Sequence, residues 1–535
     1  MPGHRSTPPP YESYVDALLA SLARSPDRPA LTAAGRSLTA GELHDGVHRA
    51  AALLAAHGIT RGDTVALLTG NRPEALVARY GANLLGARVV HLSPAAAPAA
   101  SAGILDATAA ALLLVDPAAA AAARALPAGD RGPARLSLDP GLFTEGPARQ
   151  PVRIPGAARP EDDWCLRSTG GTTGPPKLVR LAHGPYRKIL DAATARVPSD
   201  APVRFLACTS LAHMAGIVAD ATLLASGSVI LQDGFDPAGV LAAVEHHRVT
   251  DLWLLPPLLY ELLDHPRLAT TDVSSLRRLR YGGTPASAAR LRRAAEVFGP
   301  VLHGSYGQTE AGAIAEVLPH EHTVTGPGGR ITAGRPLPGV AVETRDPAGA
   351  ALAPGSTGEI HVRTPTTMTG YWGRPEATAA VIRDGGWVAT GDVGFLDDGG
   401  YLHLVDRLGE VVIVVGGHLY PAEAEQVLLG HPDVAGCAAF GTHGAEGPEG
   451  SDGPEELHVA VVPAPGRTPD ADRLGAFVAA RLGALYAPGR VHLVDRIPLT
   501  EAGKPDKARL RTLYGGTTGA SVRGAGGNPD RGAAA

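Results

Sequence analysis

The chain has 535 residues, 44% of them apolar, and a formal net charge of −5. This suits a globular protein of about three or four folding units and leaves no basic footprint for nucleic acid. Cys165, Cys208 and Cys437 stand far apart without metal-ligand spacing, no charged start leads into an apolar core, and no long uncharged run suggests a membrane span, so a reduced, cytoplasmic protein is expected.

Apolar positions recur at helical spacing through Tyr14, Ala17, Leu18 and Leu22, and again through Leu43, Val47, Ala51 and Leu54. They predict two helices within residues 11–57, separated by a short extended stretch. Residues 64–68 read as a buried strand, 71–85 as a helix and 86–91 as the next strand, an alternation that predicts a doubly wound parallel sheet. The alanine-rich segment 94–127 reads as surface helices and loops. Residues 164–167 form a strand, and helix, strand and helix follow to about 265. Pro256-Pro257 stop the apolar strand 252–255. Residues 279–281 form a strand ending in Gly282-Gly-Thr-Pro285, 286–298 a helix, and 301–303 a strand ending in Gly304-Ser-Tyr-Gly-Gln-Thr-Glu310. Two parallel strands ending in glycine turns make a ligand crevice the expectation. From about 326 short strands with Gly, Pro and Asp turns take over, residues 421–510 form a small α/β unit, and 515–535 read as a disordered tail.

The strand 164–167 feeds Ser168-Thr-Gly-Gly-Thr-Thr-Gly-Pro-Pro-Lys177. Its glycines let backbone approach a ligand, successive N–H groups and hydroxyls can cradle phosphates, and the lysine adds a compact charge. It is neither the P-loop nor the dinucleotide fingerprint, because prolines precede the lysine and Leu178 follows. Lysine is scarce: Lys177, Lys188, Lys504 and Lys507 are all there are among 48 Lys and Arg. A surviving lysine therefore points to a place where an ammonium matters, although Lys507 reads as a surface residue.

Ser168–Lys177, Leu211-Ala-His-Met-Ala-Gly216, Gly282–Pro285, Tyr306–Glu310, Thr390-Gly-Asp392, Asp406-Arg407, Tyr420-Pro-Ala-Glu423 and Pro498–Pro505 stand in the order of the adenylate-forming superfamily, which the chain resembles from about residue 12 to 512. That family includes acyl-CoA and aryl-CoA synthetases. The resemblance implies an α/β fold: a large N-terminal AMP-binding domain, 1–406, of doubly wound sheets with a small β-barrel-like part, and a small mobile C-terminal α/β domain, 407–514. It implies ATP-dependent activation of a small-molecule carboxylic acid to an acyl-adenylate with release of pyrophosphate, then transfer to a thiol, with coenzyme A as co-substrate. A carrier protein, an amine or a small inorganic nucleophile is the alternative acceptor, in secondary-metabolite biosynthesis. A monomer or homodimer is expected.

The resemblance also assigns roles by position. Ser168, Thr169, Gly170, Gly171, Thr172, Thr173, Gly174 and Lys177 would cradle phosphates. Tyr306 and Gly307, with Gly283 and Thr284, would hold adenine, and Asp392 with Arg407 the ribose. Thr309 would reach the α-phosphate, Glu310 would hold Mg²⁺, and Lys504 would bridge carboxylate and phosphate oxygens in the transition state. His213 would line or gate the acyl pocket, with Met214, Gly282, Gly304 and Gly312. Relatives place aspartate at Met214 to hold an amino acid's ammonium, or asparagine for catechol- and salicylate-type acids. An apolar methionine suits an aromatic cinnamate- or benzoate-like acid, or a fatty acid. Gly409 takes a hinge place often filled by lysine or aspartate, and Gly416-Gly417 falls one place later than usual, in a loop that lines the thiol tunnel of CoA ligases.

Overall fold

The apolar runs between helical stretches stack side by side as two twisted sheets in the computed structural model, which describes residues 11–129, 132–143, 152–169, 177–196, 202–326, 329–414, 417–443, 455–500 and 503–515. In the nine-stranded sheet, Leu302–Gln308, Arg278–Gly282, Asp251–Leu254, Arg204–Ala207, Ser228–Leu231 and Pro29–Ala33 lie parallel in that spatial order, with antiparallel strands at both edges. The seven-stranded sheet runs Gly370–Tyr371, Lys177–Ala182, Asp163–Thr169, Arg88–Leu92, Thr64–Leu68, Leu112–Val115, Ala134–Ser137; its last five strands are parallel. Helices connect the parallel strands, as right-handed crossovers require, and the doubly wound expectation holds.

One core joins the sheets. Leu31 and Phe205 from the first meet Val65 and Trp164 from the second, with Leu18, Leu43 and Tyr80 from helices between them. Each such fully buried side chain contributes about 1.5–3 kcal/mol. The first two helices, Tyr14–Arg24 and Ala40–Ala56, start where Ser13 and Thr39 form capping boxes with Asp16 and Glu42.

The barrel-like part is a five-stranded antiparallel sheet, in which the long strand Trp387–Leu396 pairs with Gly358–Arg363, Ile382–Arg383 and Leu402–Arg407. The small C-terminal domain follows, with a three-stranded sheet built on Val434–His443 and Glu455–Pro463, covered by helices Pro421–Leu428, Ala471–Leu482 and Lys507–Tyr514. The tail beyond residue 515 and Gly416 lie outside the described residues.

Two expectations need correction, and the reading of Pro256-Pro257, which holds, gains an addition. The segment 94–127 is more than surface: Leu112–Val115 is a strand buried at every residue and hydrogen-bonded to Thr64–Leu68. A strand buried on both faces shows no alternation, so the alanines around it hid it. Gly304–Gln308 is no terminal turn but the second half of the strand Leu302–Gln308, which turns back only at Thr309-Glu310. Pro256-Pro257 end the strand before them and also open the helix Pro256–Asp264, where missing N–H groups are harmless.

Candidate active site

Asp392 sits mid-strand in Trp387–Leu396, opposite Arg407 on Leu402–Arg407. The Arg407 Nε donates to its Oδ1 at 3.0 Å and the Tyr306 hydroxyl to its Oδ2 at 2.7 Å. Asp392 is itself buried, and its backbone N–H donates to Thr390 Oγ1. Burial and the neighbouring carboxylate hold the Tyr306 hydroxyl far above its usual pKa, so it remains a donor. Thr284 Oγ1, just after the neighbouring strand, and Gln308 Nε2, on the same strand as Tyr306, are buried without a hydrogen-bond partner among the described residues. Such orphaned groups suit a polar ligand with the donors and acceptors of a nucleoside.

Thr309 and Glu310 form the turn after that strand. The Glu310 carbonyl accepts from Met368 N–H at 2.8 Å, and its Oε1 accepts from the Tyr371 hydroxyl at 2.9 Å. The Lys177 ammonium lies 5.0 Å from the centre of the Tyr371 ring. Tyr371 thus links the lysine of the glycine stretch to Glu310, and the sequence reading missed it. Ser168 and Thr169 end their strand, while Gly170, Gly171, Thr172, Thr173 and Gly174 lie outside the described residues. No three His, Cys, Asp or Glu side chains gather to hold a metal ion among the described residues. Glu310 alone fits Mg²⁺, which takes one or two carboxylates and completes its shell with substrate phosphates and water.

Lys504 comes from the other domain. Its carbonyl accepts from Thr500 N–H at 2.7 Å, Thr500 Oγ1 accepts from Lys504 N–H at 3.2 Å, and Gly503 takes φ +75° to close the turn. Gly503 packs on Leu255 of the large domain, where an added Cβ would stand 3.3 Å from that side chain. The domain is seated by Arg330 against Glu423 at 3.1 Å and by Ala422 N–H donating to Asp406 at 3.0 Å. In this pose Lys504 feels the charges of Arg407, Asp392 and Glu310, and burial lowers its pKa while the carboxylates raise it. The structure therefore brings Lys504, Asp392, Glu310, Tyr306 and Arg407 into one site.

His213 precedes the helix Met214–Leu224 and is close enough to Lys504 to feel its charge. Burial, with Arg167 and Lys504, pushes its pKa down to about 4, so the ring is neutral at physiological pH and can offer one donor and one acceptor. Met214 is half-buried against the main core. Beside His213 opens a cleft of about 200 Å³ whose lining includes His91, Arg167 and Ser210. Sequence reasoning singled out neither His91 nor Arg167. They lie toward the ends of different strands, and nothing local marks them as neighbours.

Three of the glycines stand where an added Cβ would crowd neighbouring atoms. A Cβ on Gly282 would stand 2.3 Å from the Ser305 carbonyl, on Gly304 2.8 Å from the Tyr281 hydroxyl and on Gly312 2.4 Å from Thr366 Oγ1. Gly312 also takes φ +77°. Gly283 takes φ +85° in the turn after its strand, and Gly307 is exposed within its own. Gly409 lies in the short helical turn Leu408–Glu410, outside the left-handed region, and a Cβ there meets nothing within 4 Å. Lys507 is no surface residue: it is buried, with its ammonium 2.7 Å from Glu410 and 3.0 Å from Glu425.

A family model described as AMP-binding enzyme matches residues 18–372, and the model of the AMP-binding enzyme C-terminal domain matches residues 423–504. A feruloyl-CoA synthase of Amycolatopsis sp is 37% identical over 497 residues, covering 92% of this chain and 97% of the relative. The fatty acid–[acyl-carrier-protein] ligase ScoC of Streptomyces coeruleorubidus is 30% identical, covering 96% and 99%. Among solved structures, the amide bond synthetase McbA from Marinactinospora thermotolerans superposes with a TM-score of 0.82 at 36% identity, covering 94% of this chain and 99% of that one.

Proposed function

The chain belongs to the AMP-binding enzymes of the adenylate-forming superfamily, and we propose that it joins an aromatic, cinnamate- or benzoate-like acid to coenzyme A through an acyl-adenylate. It is an ATP-dependent, AMP-forming acid–thiol ligase. The observation that carries the reading is the meeting of Lys504 with Glu310 and Asp392 in one site, although they come from different domains.

A carboxylate oxygen of the acid attacks the α-phosphorus of ATP, and the bond to pyrophosphate breaks. Such transfer needs positioning and charge stabilisation more than covalent help. Tyr306 offers its face to adenine, with Gly283, Thr284 and Gly307 along the ring. Asp392 trades its bonds to Tyr306 and Arg407 for the ribose hydroxyls. Ser168 to Gly174, with Lys177, hold the phosphates, and Thr309 donates to the α-phosphate. Glu310 would hold Mg²⁺, which when bound would supply charge neutralisation for the phosphates. The Lys504 ammonium lies between the attacking and α-phosphate oxygens, where negative charge builds up. His213, being neutral, orients the carboxyl by hydrogen bonding, and Met214 supplies an apolar wall. The small domain beyond Gly409 then turns, Lys504 withdraws, and the thiol attacks the acyl carbon as AMP leaves. Cytoplasmic placement fits a substrate of ATP, and no helix among the described residues is long and apolar enough to cross a membrane.

A second reading replaces the thiol with an amine, and the near full-length match to the amide bond synthetase favours it. A carrier-protein thiol follows in the same way from ScoC, as does a fatty acid in place of the aromatic one. The test is pyrophosphate release over a panel of benzoates, cinnamates and fatty acids, followed by product mass with coenzyme A, carrier protein or an amine added in turn. Release with the aromatic acids and a coenzyme A thioester are expected. Release with none of the acids would overturn the adenylation reading, and a product formed only with an amine would overturn the thiol.

A further inference from the structure

We infer that Arg167 anchors an anionic or strongly hydrogen-bond-accepting group of the ligand that lies in the cleft beside His213. This rests on the adenylation reading only for what stands at the cleft's inner end. Arg167 lies on the strand Asp163–Thr169, and its guanidinium carbon is 5.8 Å from the centre of the Trp164 ring. Its Nε is buried without a hydrogen-bond partner among the described residues. Other arginines of this sheet and the helix packed on it are paired: Arg88 and Arg180 with Asp163, and Arg79 with Asp220. Asp163 is also the only acid on the strand of Arg167, and it is already taken. A partly buried cation left without a carboxylate is costly unless a ligand supplies the acceptor.

One carboxylate lines the same cleft: Asp233, whose Oδ1 accepts from the Asn71 N–H at 3.1 Å, and no ion pair joins it to Arg167 among the described residues. Its titratable neighbours include the buried Cys165 thiol, which feels the charge of Arg167, and His91 and His213, both held neutral by burial: Arg79 and Arg167 help to push His91 down to about 3, and Arg167 and Lys504 help to push His213 down to about 4. The walls are built rather than loose. Asn71 Nδ2 donates to the carbonyls of Thr209 at 2.9 Å and Gln232 at 3.0 Å, and Asn71 Oδ1 accepts from Leu211 N–H at 3.2 Å. That one side chain ties together the loops that follow two strands and form the rim. None of Met214, Gly282, Gly304 or Gly312 lines this cleft. It is a compartment apart from the acyl wall read in the sequence, and it touches the reacting centre through His213. A ligand filling it has one end at Lys504 and a polar group at Arg167. That group belongs either to the far end of the acid or to the acceptor, and either source presents the same chemistry, a carboxylate, phosphate, phenol or carbonyl oxygen.

Arg167→Met and Arg167→Lys, compared with the unaltered protein, test the inference. If the acid carries the group, Arg167→Met raises KM for acids bearing a distal carboxylate, phenol or hydroxyl roughly tenfold more than KM for their parent acids. If the acceptor carries it, KM for coenzyme A, or for the amine, rises roughly tenfold while the acid values move less. In both cases Arg167→Lys, which keeps the charge, recovers much of the loss. A third measurement needs no turnover: a rise in melting temperature with glutarate, reduced in Arg167→Met and retained in Arg167→Lys. If no acid releases pyrophosphate with the unaltered protein, the adenylation reading fails and the glutarate shift still decides for or against Arg167. If Arg167→Met moves all KM values together with a lower melting temperature, or moves none and binds glutarate like the unaltered protein, the side chain merely packs on Trp164 and the inference is overturned.

Discussion

The two sides of the candidate site are held by different means. On the large domain each group is clamped by strand and side-chain partners: Asp392 between Tyr306 and Arg407, Glu310 between Tyr371 and the backbone of Met368. Among the described residues, no large-domain group hydrogen-bonds or ion-pairs with Lys504. Its place is set by the turn Thr500–Lys504 and by how the small domain is seated through Arg330–Glu423 and Asp406–Ala422. On the proposed reading the large-domain groups serve both half-reactions and Lys504 serves one. Fixed chemistry is built into sheets, and intermittent chemistry rides on a body that can turn away.

The contrast is sharpest in stability. Lys507→Met leaves Glu410 and Glu425 buried without their ammonium, a loss of about 3–5 kcal/mol. Hydrogen exchange should show faster opening in the helix Ala471–Leu482 and little change in the strands around Asp392; equal loss in both would mean that the domains unfold as one. Next, Lys504→Ala should slow acyl-adenylate formation at least hundredfold, about 3 kcal/mol of transition-state stabilisation, and leave consumption of a supplied acyl-adenylate largely intact. Near-normal pyrophosphate release would remove Lys504 from the chemistry.

The pivot comes third. In this pose Gly409 needs neither a left-handed φ nor space for a missing Cβ, so Gly409→Ala should leave adenylation within about twofold. Gly409→Pro fixes φ near −65° and should stop one half-reaction while the other continues. Steady turnover by the proline variant would move the pivot toward Asp406-Arg407, because Glu410 is pinned to Lys507.

The smallest effect is on pH. In the large domain burial pushes the pKa of His48, His91, His183 and His213 to about 4, 3, 4 and 4; in the small domain it pushes His492 to about 4. These folded-state values lie below the ordinary histidine value of 6.5. Their contribution to stability is therefore full above about pH 6.5 and fades as pH falls toward 4. Asp406, raised by burial to about 6, works in the opposite sense, losing stability as pH rises from about 4 to 6. Acidification from pH 7 to 4.5 should lower the melting temperature of the large domain more than that of the small one, as calorimetry would resolve.

Much of this was legible because the chemistry sits in turns and strand ends whose glycines, hydroxyls and lone lysines have few structural reasons to be there. The order of those stretches pointed to the family, and the helix and strand periods to the doubly wound sheets. What stayed hidden depends on partners far along the chain. Lys507 reads as solvent-exposed until Glu410 and Glu425, 97 and 82 residues earlier, fold around it. Leu112–Val115 has the length of a strand but no alternation, in an alanine-rich setting that favours helix. Tyr371, His91 and Arg167 carry no local signature, and only the pairing of separate strands places them. Gly282, Gly304 and Gly312 pose the opposite difficulty, because a small residue in a sequence cannot show whether it makes room for a ligand or for its own chain.

Arg407 faces two ways. Its side chain holds the Asp392 carboxylate, and its backbone ends the strand that runs into the turn Leu408–Glu410. Any ligand that takes hold of Asp392 changes the load on a residue two positions from the pivot. Linkage then runs in both directions: by whatever factor a nucleotide favours the seated pose, seating must tighten the nucleotide by the same factor. A cross-link that locks the small domain down would accordingly act as a nucleotide trap, and a severed Arg407–Asp392 bond would let binding and domain position drift apart.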